Sequence, residues 1–295
     1  MPASKAYSSI MRAKSFFAFL LLAVLASPAV AQQASTGPVT IDVYCSGMVT
    51  TEAVPADTYL ITGEQSNYKV TFQQGDLVYI NKGSSQGVNV GDEFLVSRHV
   101  NDALKYKWFS QQPWLLRAMG KVWADLGRLR VVHVDANVST AEIVYSCDWL
   151  ERGDIVLPFR ERPVPQYKQA NGFNRFAPVS GRPVGMVVTM KEFSQSGGAG
   201  NIVYVNLGNS QGVKVGDYMR IFRYQGVQNE SAYQTWRQSF RVYGFGSVPL
   251  SYNWESVPRE ILGEGIVLRV TPNATTLLIT LSLREVYAGD YVEIE

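Results

Sequence analysis

The chain has 295 residues, of which 46% are hydrophobic and 18% are charged, and its formal net charge is +2. This composition is typical of a globular protein with a hydrophobic core and excludes a disordered chain. It also lacks the concentrated basic surface that nucleic-acid binding requires, so we expect no nucleic-acid partner.

The first 31 residues have the three parts of an export signal. Three basic residues precede an apolar run, Phe16–Ala26, that is too short to span a bilayer. Residues 29–31 read AVA and match a small-x-small cleavage site, which predicts a signal peptide cleaved after Ala31. The alternative is a buried core helix. We expect a periplasmic or extracellular protein with no integral membrane segment after cleavage.

The two cysteines, Cys45 and Cys147, both lie in alternating apolar patterns. Ile41, Val43 and Cys45 alternate as on one face of an N-terminal strand, and Cys147 continues an alternating run that starts at Ala141. Both thiols are therefore expected to face a core. Two interpretations stay open: a disulfide, which export permits, or two separate buried thiols.

The chain repeats itself. Residues 78–92 read VYINKGSSQGVNVGD and residues 203–217 read VYVNLGNSQGVKVGD, with 11 of 15 positions identical at an offset of 125. Leu126–Phe159 and Leu262–Glu295 align at an offset of 136 with 11 of 34 identities. Because a repeat sets the architecture, these blocks predict two copies of one small domain.

Both copies consist of short runs rich in Val, Ile, Tyr and Phe, separated by Gly, Asn and Asp. This pattern predicts an all-β fold, with two tandem small SH3-like β-barrels or small sandwiches. Gly-Asp begins a strand at two matching places in each copy. Glycine permits a positive φ and aspartate can accept bonds from nearby amides, which predicts a structural role for Asp92, Asp154, Asp217 and Asp290.

Five prolines between Pro158 and Pro183 indicate an extended linker between the copies. The predicted division is an N-terminal strand plus β-repeat 1 at residues 32–159, a linker at 160–178 that contains Pro and Arg, and β-repeat 2 at 179–295. The alternative is one domain in which the two halves share a core.

The copies differ most in an aromatic-rich insertion, residues 99–125 in the first and 224–261 in the second. Loops on a rigid β scaffold often carry function, and aromatic and arginine side chains dominate binding hot spots. The hypothetical binding residues are Trp108, Phe109, Trp114, Trp236, Arg237, Phe240 and Trp254. The alternative is that these segments pack the two repeats together or cover a barrel end. Residues 102–119 are compatible with a short amphipathic helix.

Few residues suggest chemistry. The chain has two histidines, His99 and His133, and neither D-T-G nor D-S-G occurs. The spacing of the cysteines and histidines matches no zinc pattern, so we expect no metal, no cofactor and no catalytic residues.

The motif Y-[IV]-N-x-G-x-x-x-G-V-x-V-G-D, with a later V-x-x-G-D-x-V terminus, resembles the C-terminal β-domain of the flagellar assembly protein T family. It is also similar to tandem domains of uncharacterised Gram-negative envelope proteins. The resemblance implies an SH3-like barrel, periplasmic residence and a non-enzymatic role in envelope assemblies.

The resulting hypothesis is an exported, non-catalytic binding or scaffold protein of the bacterial cell envelope that contacts a partner through its aromatic insertions. The partner is an envelope protein or a glycan, with peptidoglycan binding as the first alternative. An unrecognised hydrolase with a site between the repeats is the second.

Overall fold

The computed structural model describes residues 37–101, 106, 108–168, 173–224, 240–241, 247–248 and 258–295, without the side chains of 240–241 and 247–248. Within these residues the helices are α1 (Thr40–Tyr44) and α2 (Gln112–Met119). The strands up to the linker are β1 (Met48–Thr50), β2 (Leu60–Gly63), β3 (Thr71–Phe72), β4 (Leu77–Ile80), β5 (Glu93–Val100), β6 (Lys121–Val134), β7 (Ser139–Ser146), β8 (Leu150–Glu151) and β9 (Ile155–Pro158). The later strands are β10 (Val184–Met190), β11 (Ser196–Gly197), β12 (Ile202–Val205), β13 (Tyr218–Arg223), β14 (Phe240–Arg241), β15 (Ser247–Val248), β16 (Glu260–Val270), β17 (Thr275–Ser282), β18 (Val286–Tyr287) and β19 (Tyr291–Ile294).

The second half forms a closed six-stranded barrel, which we call barrel 2. Its strands follow the order β10-β12-β17-β16-β13-β19, and β19 pairs back onto β10. Its interior is filled by buried aliphatic side chains from these strands and the connecting turns, including Val187, Val203, Met219, Leu277 and Val292.

The first half repeats this arrangement as barrel 1, with the order β2-β4-β7-β6-β5-β9. Backbone bonds join the two ends of this sheet: the Leu60 amide donates to the Asp154 carbonyl over 2.9 Å, and the Val156 amide donates to the Thr58 carbonyl over 2.8 Å. Tyr59 and Ile155 form a β-bridge between the same segments. The prediction of an all-β fold built from small barrels is confirmed.

The two barrels also share their strand register. Glu93 pairs with Arg130 in barrel 1, and Tyr218 pairs with Ile266 at the equivalent place in barrel 2. In both, the register between these strands shifts at one point, after Val96 and after Ile221, which are equivalent at the offset of 125. A bulge of this kind bends a strand and helps a small sheet to curve. The repeat in sequence is therefore a repeat in three dimensions.

The N-terminal segment differs from the prediction. The residues expected to alternate on a strand lie instead in and just after α1, where the Asp42 carboxylate accepts a bond of 2.8 Å from the Val39 amide and closes the first turn. Three consecutive side chains, Val43, Tyr44 and Cys45, are buried. The strand of this segment is the later β1, which pairs with the start of β6.

A third hydrophobic cluster joins the two halves. From the first half it contains Val49, Tyr106, Phe109, Leu115, Met119 and Val122, and from the second half Val188, Tyr204, Ala274 and Ala288. The barrels therefore keep separate interiors and in addition share a packed junction. None of the described helices is long and apolar enough to cross a membrane.

Candidate functional site

The asparagine of the repeated motif ties neighbouring strands together. The Asn81 side chain accepts a bond of 2.7 Å from the Tyr59 amide and donates one of 2.9 Å to the Asp57 carbonyl. In barrel 2, Asn206 accepts a bond of 2.6 Å from the Met186 amide. Each asparagine thus holds the first strand of its barrel against the second.

The glycines of the motif permit a close approach of two backbone segments. A Cβ at Gly83 would lie 2.2 Å from the Asp135 carbonyl oxygen, and one at Gly208 would lie 2.3 Å from the Pro272 carbonyl oxygen. The 3₁₀ turns that follow, Ser84–Gln86 and Asn209–Gln211, are closed by glutamine oxygens that accept from the two glycine amides over 2.8 Å. These contacts give the motif a structural purpose in both copies.

Both turns also match G-x-S-x-G, the sequence of a nucleophile elbow, which the sequence analysis missed. An elbow places its serine between a strand and a helix. Here Ser85 and Ser210 lie in 3₁₀ turns that lead into strands, and both are exposed. Within the described residues no hydrogen bond joins Ser85 to His133, whose ring lies 3.5 Å from Asp135 on the exposed neighbouring turn. The match therefore lacks elbow geometry.

The four Gly-Asp aspartates accept bonds from backbone amides three residues earlier, as the sequence predicts. The bonds are 2.9 Å at Asp92, 2.6 Å at Asp154, 2.8 Å at Asp217 and 2.7 Å at Asp290. Two of these aspartates also hold an arginine with both oxygens.

These two arginines, Arg98 and Arg223, occupy equivalent positions. Arg98 contacts Asp154 over 2.6 and 2.8 Å, and Arg223 contacts Asp290 over 2.8 and 2.7 Å. The hydrogen bond to Asp154 raises the pKa of Arg98. Burial opposes the charge of Arg223, but its bonds to Asp290 outweigh this effect and raise its pKa. Both pairs lock the last strand of a barrel to its neighbour.

The cysteines form a disulfide, which decides between the two interpretations of the sequence. Cys45 and Cys147 are bonded with their Cα atoms 5.6 Å apart. Nearby, the buried carboxylate of Asp125 receives Arg162 of the linker at 3.3 Å and Arg269 of barrel 2 at 3.5 Å. Burial lowers the pKa of Arg269. Among the described residues, no group of three His, Cys, Asp or Glu side chains is arranged to hold a metal ion.

Several apolar side chains of the first insertion lie inside the junction between the barrels. Phe109 is only 5% exposed, which agrees with the alternative that this segment packs the two repeats together, and its role in partner binding stays a prediction. The Tyr106 hydroxyl donates to the Phe193 carbonyl over 3.1 Å, and its ring stacks on Trp108 at 5.1 Å. Because the barrels bury these side chains against each other, aromatic composition alone did not identify a free surface.

Helix α2 carries the exception, Trp114, which is 64% exposed. The opposite face of α2 is fixed: the Gln112 amide group donates to the Val188 carbonyl over 3.1 Å, and Leu115 and Met119 are buried. The outward face bears Trp114 and the exposed Arg117, which we call the α2 surface. A groove of about 530 Å³ lies beside the end of α2 and is lined by Thr50–Ala53, Val54, Ala56 and Gly120, Lys121 and Trp123.

The predicted residues of the second insertion cannot be compared in the same way. Trp236, Arg237 and Trp254 lie outside the described residues. Phe240 begins β14 and pairs with Val248, but its side chain is also outside the description.

The base of the second insertion contains an aromatic cluster that the sequence analysis missed. Phe222 contacts Tyr224 at 5.3 Å and Tyr291 at 5.7 Å between ring centroids, and the Arg259 guanidinium lies 4.4 Å above the Phe222 ring. Arg259 also contacts the buried Glu293 at 2.6 Å. The signal was present in the alignment of the two copies, which places Trp123 opposite Arg259 and Ser97 opposite Phe222.

No protein-family model matches this chain, and no curated protein matches it either. The class that its architecture defines is an all-β protein of two small barrels with insertions at equivalent positions. The resemblance to the flagellar assembly protein T family stays a prediction.

Proposed function

We propose that this chain is an exported, non-catalytic binding or scaffold protein of the bacterial cell envelope, and that it contacts an envelope partner through its insertions. One observation carries the proposal. The residues that the two copies share are engaged in turns and strand contacts, whereas Trp114 on the divergent first insertion projects from a firmly packed helix.

The chemistry of the α2 surface supports protein binding. Trp114 offers a large apolar face, and Arg117 lies one turn further along the same exposed side of the helix. Tryptophan and arginine are the residues most enriched in binding hot spots. Because the buried face of α2 is held by Gln112, Leu115 and Met119, a partner would meet a preorganised surface with little ordering cost.

The disulfide supports export. Disulfides persist in oxidising compartments such as the periplasm and are rare in a reducing cytosol. Cys45 and Cys147 are bonded, and residues 1–31 carry the pattern of a signal peptide. The predicted cleavage after Ala31 leaves the whole described part of the chain in the mature protein.

A site-specific crosslinking experiment tests the partner surface. A photo-crosslinking amino acid is placed at position 114 and, as a control, at position 149, where Trp149 is similarly exposed at 53% but lies between β7 and β8, outside both insertions. We expect position 114 to capture a specific envelope protein in living cells and position 149 not to capture it. Identical capture from both positions, or none from position 114, would refute a partner at the α2 surface.

A sedimentation assay with purified sacculi separates a protein partner from a glycan. Aromatic faces also stack on sugars, so Trp114 is compatible in principle with a glycan ligand. We expect the mature protein to stay in the supernatant. If it pellets with sacculi and Trp114→Ala abolishes the pelleting while Trp149→Ala does not, the partner is peptidoglycan instead of a protein.

A further inference from the structure

Residues Val43–Thr50, which we call the N-terminal clamp, contact both barrels. On the side of barrel 1, β1 pairs in register with the start of β6, with Met48 opposite Trp123 and Thr50 opposite Lys121. The Gly47 amide donates to the buried Asp125 carboxylate over 3.1 Å. The clamp is thus an added strand on the start of β6, beyond the part of β6 that pairs with β7.

On the other side, three donors of barrel 2 bind main-chain carbonyls of the clamp. The Tyr204 hydroxyl donates to Ser46 over 3.0 Å, the Thr276 hydroxyl to Gly47 over 3.3 Å, and the Thr271 hydroxyl to Val49 over 2.7 Å. The three donor residues are between 1% and 8% exposed. The Thr271 hydroxyl has a second acceptor in the Ala274 carbonyl at 3.1 Å. Because buried polar groups without a partner are costly, the clamp carbonyls stabilise the Tyr204 and Thr276 hydroxyls in particular.

The clamp also fits barrel 2 by shape. Val43 is 1% exposed and packs in a cluster with barrel-2 residues that include Ile202 and Leu268. Gly47 has a φ of +66°, and a Cβ there would lie 2.5 Å from the Tyr204 hydroxyl oxygen and 2.8 Å from the Trp123 carbonyl oxygen. A residue larger than glycine would therefore push the clamp away from both barrels.

The disulfide fixes the start of this clamp to barrel 1. Cys147 continues from β7, and the residue aligned with it in the second copy is Leu283. The bond is therefore specific to the first copy. It is not part of the strands and turns that both copies share, which we call the frame. Cys45 is 5% exposed whereas Cys147 is half-buried, so an external thiolate reaches the Cys147 sulfur more readily.

We propose that the Cys45–Cys147 bond is a redox lock on the N-terminal clamp, and that its state controls how firmly the two barrels are held together. Locking is a thiol–disulfide exchange with an external disulfide. One cysteine thiolate forms a mixed disulfide, and the other then displaces the external thiolate. The two protons of the protein thiols end on the two external sulfurs, so the external disulfide becomes a dithiol. Reduction by an external dithiol runs in reverse. This inference is independent of the partner at the α2 surface.

Hydrogen exchange of the mature protein, measured by peptide with and without reductant, tests the lock. Because the chain has two cysteines, the reductant breaks one bond only. We expect exchange at Val43–Thr50 and at residues 271–276 to rise about tenfold or more on reduction, since exchange reports local opening. Exchange at β4 and β13, inside the barrels, should change less than about twofold. Unchanged exchange at the clamp, or an equal rise in all strands, overturns the proposal.

Variants with the disulfide intact test the docking itself. Gly47→Ala should reproduce the local rise in the oxidised protein, whereas Gly181→Ala, at a φ of +74° with no atom near its Cβ, should not. Thr276→Val is a milder change and should raise clamp exchange about threefold to tenfold through the loss of one bond. Its control is Thr280→Val on the same strand, where the hydroxyl donates to the main-chain carbonyl of Glu264 and not to the clamp. If clamp exchange in Gly47→Ala equals that in Gly181→Ala, and clamp exchange in Thr276→Val equals that in Thr280→Val, the docking of the clamp is refuted.

Discussion

The two barrels share their frame but differ at the end that carries the insertion. In barrel 1 this end contains Ser97, which donates to the Ala124 carbonyl over 2.8 Å, and Trp123, which packs with Met48 of the clamp. In barrel 2 the equivalent positions hold Phe222 and Arg259, stacked on each other. The frame thus tolerates very different chemistry at one end because strand register, and not these side chains, sets the barrel.

The difference indicates how a duplicated protein can gain a function. In the insertion of barrel 1, Tyr106, Phe109, Leu115, Met119 and Val122 are buried in the junction, and Trp114 is the large apolar side chain that its described residues expose most. The base of the insertion in barrel 2 has instead gained an aromatic cluster with two ion pairs from Glu293 to Arg220 and Arg259. Duplication of the scaffold left both ends free to change independently.

The largest expected difference concerns the equivalent ion pairs of the two barrels. The Arg223 and Asp290 side chains are 10% and 0% exposed, whereas those of Arg98 and Asp154 are 24% and 3% exposed. Breaking a buried pair leaves an uncompensated charge and costs about 3–5 kcal/mol. We expect Arg223→Met to reduce the free energy of unfolding by this amount, and Arg98→Met by about half as much because water reaches its partner more easily.

Urea unfolding followed by circular dichroism measures both losses. The double variant should show nearly additive losses, since each pair lies within its own barrel. Equal losses for the two single variants would mean that burial does not distinguish the barrels at this position.

A smaller effect is expected at the glycines of the repeated motif. Gly83→Ala and Gly208→Ala each place a Cβ against a backbone carbonyl that cannot move aside, so each should cost about 2–3 kcal/mol of stability. Gly87→Ala and Gly212→Ala are matched controls at φ of +84° and +83° with open space around the Cβ. They should cost about 1 kcal/mol, from the left-handed backbone alone. Thermal unfolding of the four variants tests whether the two frames respond alike, and a clear difference between Gly83→Ala and Gly208→Ala would show that they do not.

The frame could be predicted from the sequence because its signals are local and occur twice. A motif that contains Asn81, Gly83 and Asp92 specifies a turn through its own backbone contacts, and the second copy confirms which positions matter. The barrel class and the structural role of the four aspartates followed from such patterns.

Other features depend on tertiary contacts that no local pattern records. The alternation of Ile41, Val43 and Cys45 predicted a strand, but α1 has five residues and is determined by packing against barrel 2. The aromatic residues of the first insertion had two possible destinations, a partner or the other barrel. Composition does not distinguish them, and Phe109 lies in the junction. The disulfide also depended on geometry, because two buried thiols bond only when the fold brings them together.

The smallest expected effect is a pH dependence at a position where the two barrels carry opposite charges. Arg128 of barrel 1 pairs with Glu93 and lies 3.9 Å above the Phe159 ring, whereas its equivalent in barrel 2 is Glu264. Burial, with a smaller contribution from the negative charge of Glu295, raises the pKa of Glu264 from 4.5 to about 7. The folded protein therefore holds this proton more tightly than the unfolded chain does.

Below about pH 4.5 Glu264 is protonated in both states and does not lower the free energy of unfolding. As the pH rises to about 7, its ionisation destabilises the folded protein increasingly. Glu264→Gln should match the wild type at pH 4 and exceed its free energy of unfolding by about 1–2 kcal/mol at pH 8. This is less than the full shift implies, because the carboxylate is partly solvated. Glu142→Gln, on the exposed side of β7, is the control and should leave the pH profile unchanged. If urea unfolding at both pH values shows the same difference between Glu264→Gln and the wild type, the buried carboxylate does not distinguish barrel 2 from barrel 1.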